Sequence, residues 1–255
     1  MVKIVNINNK LPIVLLTGIM TLFQLFCRGD TLSAKTLGDI KTPRGYTREV
    51  YNMSSYPAWL RSLPLKTGNI IKRHDGGNIP ADYYNIFAVI DMPLLFTGNI
   101  EQCADWGFRF WSEFHKDREM LDKLYLFDYS GNKKFFLKSG LSFTGFLKLS
   151  MNYSNSHSIK TGCGKINPSE IKPGDMLVQN KTGGIGHVSV IMDVCKNSAG
   201  EKLYLIGYSF MPAQQFHIEK ADSQYGKAGW FTLKGYEMYL ERNLNFGKPV
   251  LRRFM

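Results

Sequence analysis

Between Asn99 and Lys116 apolar residues return at intervals of three and four. Cys103, Trp106, Gly107, Phe110, Trp111 and Phe114 fall on one stripe, which predicts the strongest helix of the chain, buried along one face. Tyr56–Leu63 reads as a short helix with Pro57 in its first turn, where a missing N–H costs nothing. Asn85–Asp91 is a continuous apolar run of strand length that Pro93 should stop. Leu124–Tyr129 and Lys134–Lys138 read as two strands joined by Ser130-Gly131, and Phe143–Met151 as another helix. After a polar loop around Asn152–Lys165 the pattern becomes that of strands: Met176–Gln179, His187–Val194, Leu203–Ser209 and Gln215–Lys220. The hairpin loop Asn197–Gly200 pairs residues whose numbers sum to about 396–398, which sets His187 opposite Ser209 or its neighbours Tyr208 and Phe210. Helices first and an antiparallel meander after them is the α+β pattern.

The N-terminal 34 residues stand apart. Lys3 and Lys10 precede an uncharged run of 17 residues, Leu11 to Cys27 (LPIVLLTGIMTLFQLFC), after which Arg28 and Asp30 return the chain to water. A basic start followed by an apolar stretch is the pattern of an export signal. Its length also sits at the lower limit for spanning a bilayer, so an uncleaved anchor is the rival reading. The expected organisation is a signal peptide or anchor over residues 1–34 and a single α+β domain over 35–255. The expected location is outside the cytoplasm, whether periplasmic, cell-surface or secreted, with membrane contact only through the N-terminal segment if it stays uncleaved.

Composition narrows the partners. The 255 residues are 44% hydrophobic and 21% charged, which excludes a disordered or polytopic chain. A formal charge of +11 favours anionic partners. Removing residues 1–34 lowers it to +9, and export turns the expected partner from nucleic acid to envelope peptide or anionic glycan. The four cysteines, at 27, 103, 163 and 195, are too scattered for paired metal-binding spacing, and no His/Asp/Glu cluster suggests a metal; no cofactor is expected. Beyond the signal three cysteines remain: either Cys163 and Cys195 bridge and leave Cys103 free, or all three stay reduced.

Two segments carry candidate chemistry. Lys172-Pro-Gly-Asp175 turns into one strand, and Gly183-Gly-Ile-Gly186 leads into the next at His187, while Cys103 lies 84 residues upstream near a helix start. A thiolate is a strong nucleophile, and a helix N-terminus and an imidazolium both lower a thiol pKa. This order resembles the papain-like cysteine hydrolases of the cell-wall type, the NlpC and CHAP groups. The resemblance implies Cys103 as nucleophile, His187 as base and Ser209 or Gln214 as the group that orients the imidazole, with His217 as an alternate and Gln102 as an oxyanion donor. The bland readings stand beside these: Cys103 on the apolar stripe as a packed thiol, His187 as a structural histidine, and Ser209 and Gln214 satisfying the turn around Pro212. Lys133-Lys-Phe-Phe-Leu-Lys138 interleaves bases and aromatics, fit for an acidic glycan or for guarding an edge strand. Trp59 and Trp230 are candidate sugar-stacking platforms.

The segments YPAWLRSLPLK (56–66), AVIDM (88–92), IEQCADWGFRFWSEF (100–114), KPGDMLVQ (172–179), GHVSVIMDV (186–194) and YSFMPAQQFHI (208–218) together resemble a family of exported bacterial proteins, domain of unknown function 4846. That resemblance implies export and often a lipid anchor, and no particular activity. Tyr208 stands where that family more often has glutamine, which shifts the third member towards Ser209 and Gln214. The expectation is an exported cysteine hydrolase or amide-bond transferase acting on cell-wall peptides. The alternative is a non-catalytic protein that binds envelope material or acidic glycan.

Overall fold

The structure, a computed structural model, describes residues 35–255. The expected signal or anchor, residues 1–34, lies outside them. In chain order the strands are β1 (Tyr46–Arg48), β2 (Ile86–Val89), β3 (Tyr125–Phe127), β4 (Lys133–Phe135), β5 (Gly164–Lys165), β6 (Met176–Gln179), β7 (His187–Asn197), β8 (Lys202–Tyr208), β9 (His217–Glu219), β10 (Gly226–Lys227), β11 (Trp230–Phe231) and β12 (Val250–Arg253). The helices are α1 (Tyr56–Arg61), α2 (Cys103–Asp117), α3 (Phe136–Ser139), α4 (Phe143–Tyr153), α5 (Ser156–Gly162) and α6 (Leu233–Asn243). No helix among the described residues is long and apolar enough to cross a membrane.

Ten strands form one antiparallel sheet in the order β10-β11-β8-β7-β6-β12-β5, with β1 joining β7, and β9 joining both β8 and β2. The β7–β8 hairpin pairs Val190 with Gly207 and Val194 with Tyr204, the register that its loop predicts. Strand alternation sends successive side chains to opposite faces, and both faces are covered. Val178, Val188, Val190 and Leu205 point into the larger core with Trp59, Trp106, Phe110, Leu147 and Ile159, from α1, α2, α4 and α5. Leu177, Ile191, Tyr204 and Ile206 point the other way, onto Tyr236 and Leu240 of α6.

This architecture corrects the expected papain-like arrangement of N-terminal helices packed on a later meander. The molecule is mostly one ten-stranded antiparallel sheet with few helices. Its strands come from both ends of the described chain: β1 pairs with the far end of β7, β2 with β9, and β12 enters between β5 and β6. The two halves of the sequence therefore build one sheet rather than a helical layer and a meander.

Local departures have local causes. The predicted strand 134–138 ends at Phe135, and the chain turns into α3, which Gly140 closes in the left-handed conformation (φ 66°). Helix α5 lies inside the expected polar loop, because Asn155 caps it and Ile159 alone anchors it in the larger core.

Candidate functional site

The predicted helix 99–116 begins later than expected, at Cys103. Side chains just before it are committed to the loop: Glu101 accepts the N–H groups of Leu95 and Phe96 and pairs with Arg109 at 2.6 Å, both partners buried. Gln102 becomes the N-cap, its own N–H donated to the Asp105 carboxyl at 2.9 Å and its side-chain amide to Asn99 at 3.2 Å. Cys103 is thus the first helical residue, where the dipole and the free amide groups act most strongly. Its Sγ lies 3.9 Å from the Gly186 carbonyl. Burial nonetheless pushes the thiol up to about 11, against the opposing pull of the Val188 N–H and the first amides of α2. The three described cysteines are all free, so Cys163 and Cys195 are not bridged.

Asp105, two residues on, was not anticipated as a site residue. Burial holds its carboxyl well above the usual carboxylate range, and the charge of Glu101 adds to this. One oxygen accepts from Gln102 while the other, Oδ1, has no partner among the described residues. A carboxyl whose protonated form burial favours in this way can donate to a ligand oxygen when protonated. The readable signal was its place three residues after the N-cap.

Thiol and carboxyl line a cleft of about 410 Å³ between the start of α2, the α4–α5 junction and the Gly184–Gly186 loop. The remaining wall is uncharged and mixed: Asn99, Gln102, Asn152, Asn155 and Ser156 alternate with the apolar Ile100, Ala104, Met151, Ile185 and Met211, and no histidine lines it. Asn155 and Asn180 hold the loop in place. Asn155 Nδ2 donates to the Gly183 carbonyl at 3.2 Å; Asn180 donates to Ser156 Oγ and to the Gly184 carbonyl, each at 2.9 Å, and accepts from Gly183 N–H. At Gly186 a Cβ would lie 2.3 Å from the Gln179 carbonyl oxygen and 2.4 Å from Ser156 Oγ, so glycine is required by the close approach of two backbones.

Ile185 also lines a second basin, of about 740 Å³, whose wall carries Lys160, Lys181 and Lys248 with Asn180, Thr182 and Asn245. The Gly-rich loop is therefore the partition between an uncharged cleft and a basic one. Lys160 Nζ donates to the Asn180 carbonyl at 2.6 Å, tying the two walls together.

The other predicted residues lie elsewhere. His187 is fully buried, with Nε2 2.9 Å from Ser189 Oγ, which in turn accepts from Tyr236 OH at 2.7 Å. Its ring packs edge-on against Tyr208, 5.0 Å between centroids. These partners belong to the α6 side of the sheet, whereas Cys103 touches the Gly186 carbonyl and the Val188 N–H from the α2 side. The structure thus turns the imidazole to the α6 side of β7, while the thiol meets the strand's backbone on either side of that residue. Burial, with His217 nearby, pushes the His187 pKa down to about 3, so the ring is neutral.

Ser209 Oγ donates to the Gln214 carbonyl at 2.8 Å, and Gln214 Nε2 to Tyr84 OH at 2.8 Å. His217 Nε2 lies 3.1 Å from Glu219, and its ring stacks on Tyr84. Gln214 and His217 meet at Tyr84, and none of Ser209, Gln214 and His217 lines the thiol's cleft. Nor are the two tryptophans open platforms: Trp59 and Trp230 are buried, donating to Asp117 and to the Lys41 carbonyl.

The chain matches no curated protein and no solved structure. A family match does exist; it covers β4 to β12 with the Gly-rich loop and the lysine basin, and it begins after the Cys103 helix. Residues 128–253 match the family described as Domain of unknown function (4846).

Proposed function

We propose that the protein binds anionic envelope material, peptide or glycan, across the two clefts that meet at Ile185. The carrying observation is that shared wall: an uncharged cleft offering amide, hydroxyl and neutral carboxyl groups opens beside a basin with three lysines. The first suits the amide or hydroxyl groups of a polymer backbone, the second its carboxylates or sulfates. The location outside the cytoplasm belongs to the same proposal and rests on the Leu11–Cys27 run. The test is titration of the full-length protein with dextran sulfate, an oligoglutamate and neutral dextran. Saturable binding of the two anionic probes, weakened about tenfold by Lys181→Gln with Lys248→Gln and unaffected by Cys103→Ala, is the expected result. Equal binding of neutral dextran, or none of either anion, would remove the proposal.

One observation favours a second reading, that of an amide hydrolase or transferase. Sulfur at the first position of α2 and a neutral Asp105 carboxyl share one cleft, which places a nucleophile beside a proton donor. Its test is intact-mass detection of a thioester on Cys103 after incubation with wall peptides; an unmodified mass together with undiminished binding leaves the first reading alone.

A further inference from the structure

The Lys133–Lys138 segment lies outside both clefts and forms one wall of a third cavity. Hairpin β3–β4, α3 and α4 enclose about 700 Å³, within the size range of small-ligand sites, roughly 300–1,000 Å³. Its floor is apolar: Phe127, Phe135, Leu141, Phe146, Leu149 and Tyr153. Folding leaves part of that surface open to water, with Leu149 50% and Tyr153 71% exposed. An apolar concavity with a few polar groups converging on it is the usual form of a small-ligand site.

The rim is basic. Lys133, Lys134 and Lys138 line the cavity against the single carboxylate of Asp128, which pairs with Lys134 at 3.2 Å. Lys133 and Lys138 lie over the rings of Tyr125 and Phe135, 4.0 and 5.4 Å from the centroids. Of the hydroxyls that line it, two are already engaged: Ser139 Oγ donates to the Phe136 carbonyl and Ser154 Oγ to the Phe127 carbonyl. An apolar floor with an excess of ammonium groups at its edge is complementary to an alkyl chain ending in an anion.

We infer that the cavity between β3–β4, α3 and α4 binds a free long-chain fatty carboxylate, its chain on Phe135, Leu141 and Leu149 and its head among Lys133, Lys134 and Lys138. Each methylene transferred from water to such a floor raises affinity about fourfold. Affinity should therefore climb steeply with chain length, and an uncharged head should lose the lysine contribution.

The experiment is calorimetric titration of the full-length protein with octanoate, decanoate and dodecanoate below their micelle concentrations, with 1-decanol as the uncharged control and phosphatidylglycerol vesicles in a sedimentation arm. The expected result is one carboxylate per chain and affinity rising about tenfold or more for each two carbons. Decanol should bind more weakly than decanoate. Lys134→Gln with Lys138→Gln should weaken decanoate about tenfold and leave decanol unchanged, and Leu149→Glu should abolish both. Thermal unfolding of the variants checks that they remain folded; all three positions are solvent-facing, and the lysine variant alone suffices if Leu149→Glu misfolds. No saturable binding, no dependence on chain length, or equal loss of decanol in the lysine variant would overturn the inference. So would sedimentation with vesicles without binding of monomeric carboxylate, which would make the patch a membrane-docking face.

Discussion

Cys103 and His187 meet the same end of β7 through different contacts, the thiol against the strand's backbone and the imidazole beneath Ser189 and Tyr236. The His187 ring is held on the α6 side of the strand by Ser189, with no hydrogen bond to the thiol among the described residues. Cys103 then has only its buried, helix-terminal surroundings to set its reactivity, and with a pKa near 11 about one thiol in ten thousand is ionised at pH 7. Alkylation by iodoacetamide, followed by mass spectrometry, should be slow at pH 7 and accelerate about tenfold per pH unit up to pH 10. His187→Gln should leave that profile unchanged. A plateau near neutral pH, or a slower reaction in the variant, would show that the imidazole reaches the sulfur after all.

His187 should instead make the fold sensitive to acid. Its ordinary pKa of 6.5 is depressed to about 3 by burial, with the nearby His217 contributing. The unfolded chain therefore takes up a proton below pH 6.5 while the folded chain does not, so stability present above pH 6.5 is lost as the pH falls. Buried Asp105, Glu101 and Asp175 work the other way, since burial raises their folded pKa values. Comparison with His187→Gln isolates the histidine. Between pH 7 and pH 5 the wild type should lose about 2 kcal/mol more than the variant, read from urea midpoints. Parallel slopes for the two proteins would contradict this.

Asp193, at the irregular step of the β7–β8 ladder, accepts from Arg48 of β1 at 2.5 Å and from Arg61 of α1 at 2.6 Å, and is itself wholly buried. It holds a strand and a helix from the N-terminal part of the domain onto the centre of the sheet. Asp193→Asn leaves two largely buried guanidinium groups without their charge partner and should cost about 3 kcal/mol or more. Urea unfolding at pH 7 measures it, and a change within about 0.5 kcal/mol would mean that the pairs contribute nothing net.

The Gly-rich loop offers a paired test of the cleft. A methyl group at Gly186 meets the Gln179 carbonyl and Ser156 Oγ, whereas at Gly184 the nearest atom is Thr182 Oγ1 at 3.6 Å. Gly186→Ala should destabilise by about 1–3 kcal/mol and weaken binding in the cleft, while Gly184→Ala leaves both near wild type. Identical behaviour of the two variants in thermal unfolding and in dextran sulfate titration would refute the reading of this loop as a close-packed partition.

Legibility followed burial. Strands β6, β7 and β8 lie where the apolar runs place them, because strands covered on both faces carry near-continuous hydrophobic sequence. Their faces were harder to read: in His187-Val-Ser-Val-Ile-Met one alternate set is wholly apolar and the other holds His187, Ser189 and Ile191, but the alternation does not say which set meets α2. The start of α2 was hidden by Glu101 and Asp105, whose side chains bind loop and cap backbone instead of continuing a helix. Chain order and spacing put Cys103 and His187 near one strand end correctly, but order along the chain carries no information about which side of a sheet a residue occupies.

Strand β12 occupies the gap between β5 and β6, and Arg253 clasps both oxygens of Asp175 at the entrance to β6. During synthesis from the N-terminus, β5 and β6 leave the ribosome some 75 residues before the strand that must separate them. Until residue 253 emerges their facing edges are open to wrong partners, and the Asp175 carboxylate lacks its guanidinium. Late completion of this kind makes the nascent chain dependent on protection from the emergence of β6 until that of β12, a cost set by topology alone and independent of how stable the finished sheet becomes.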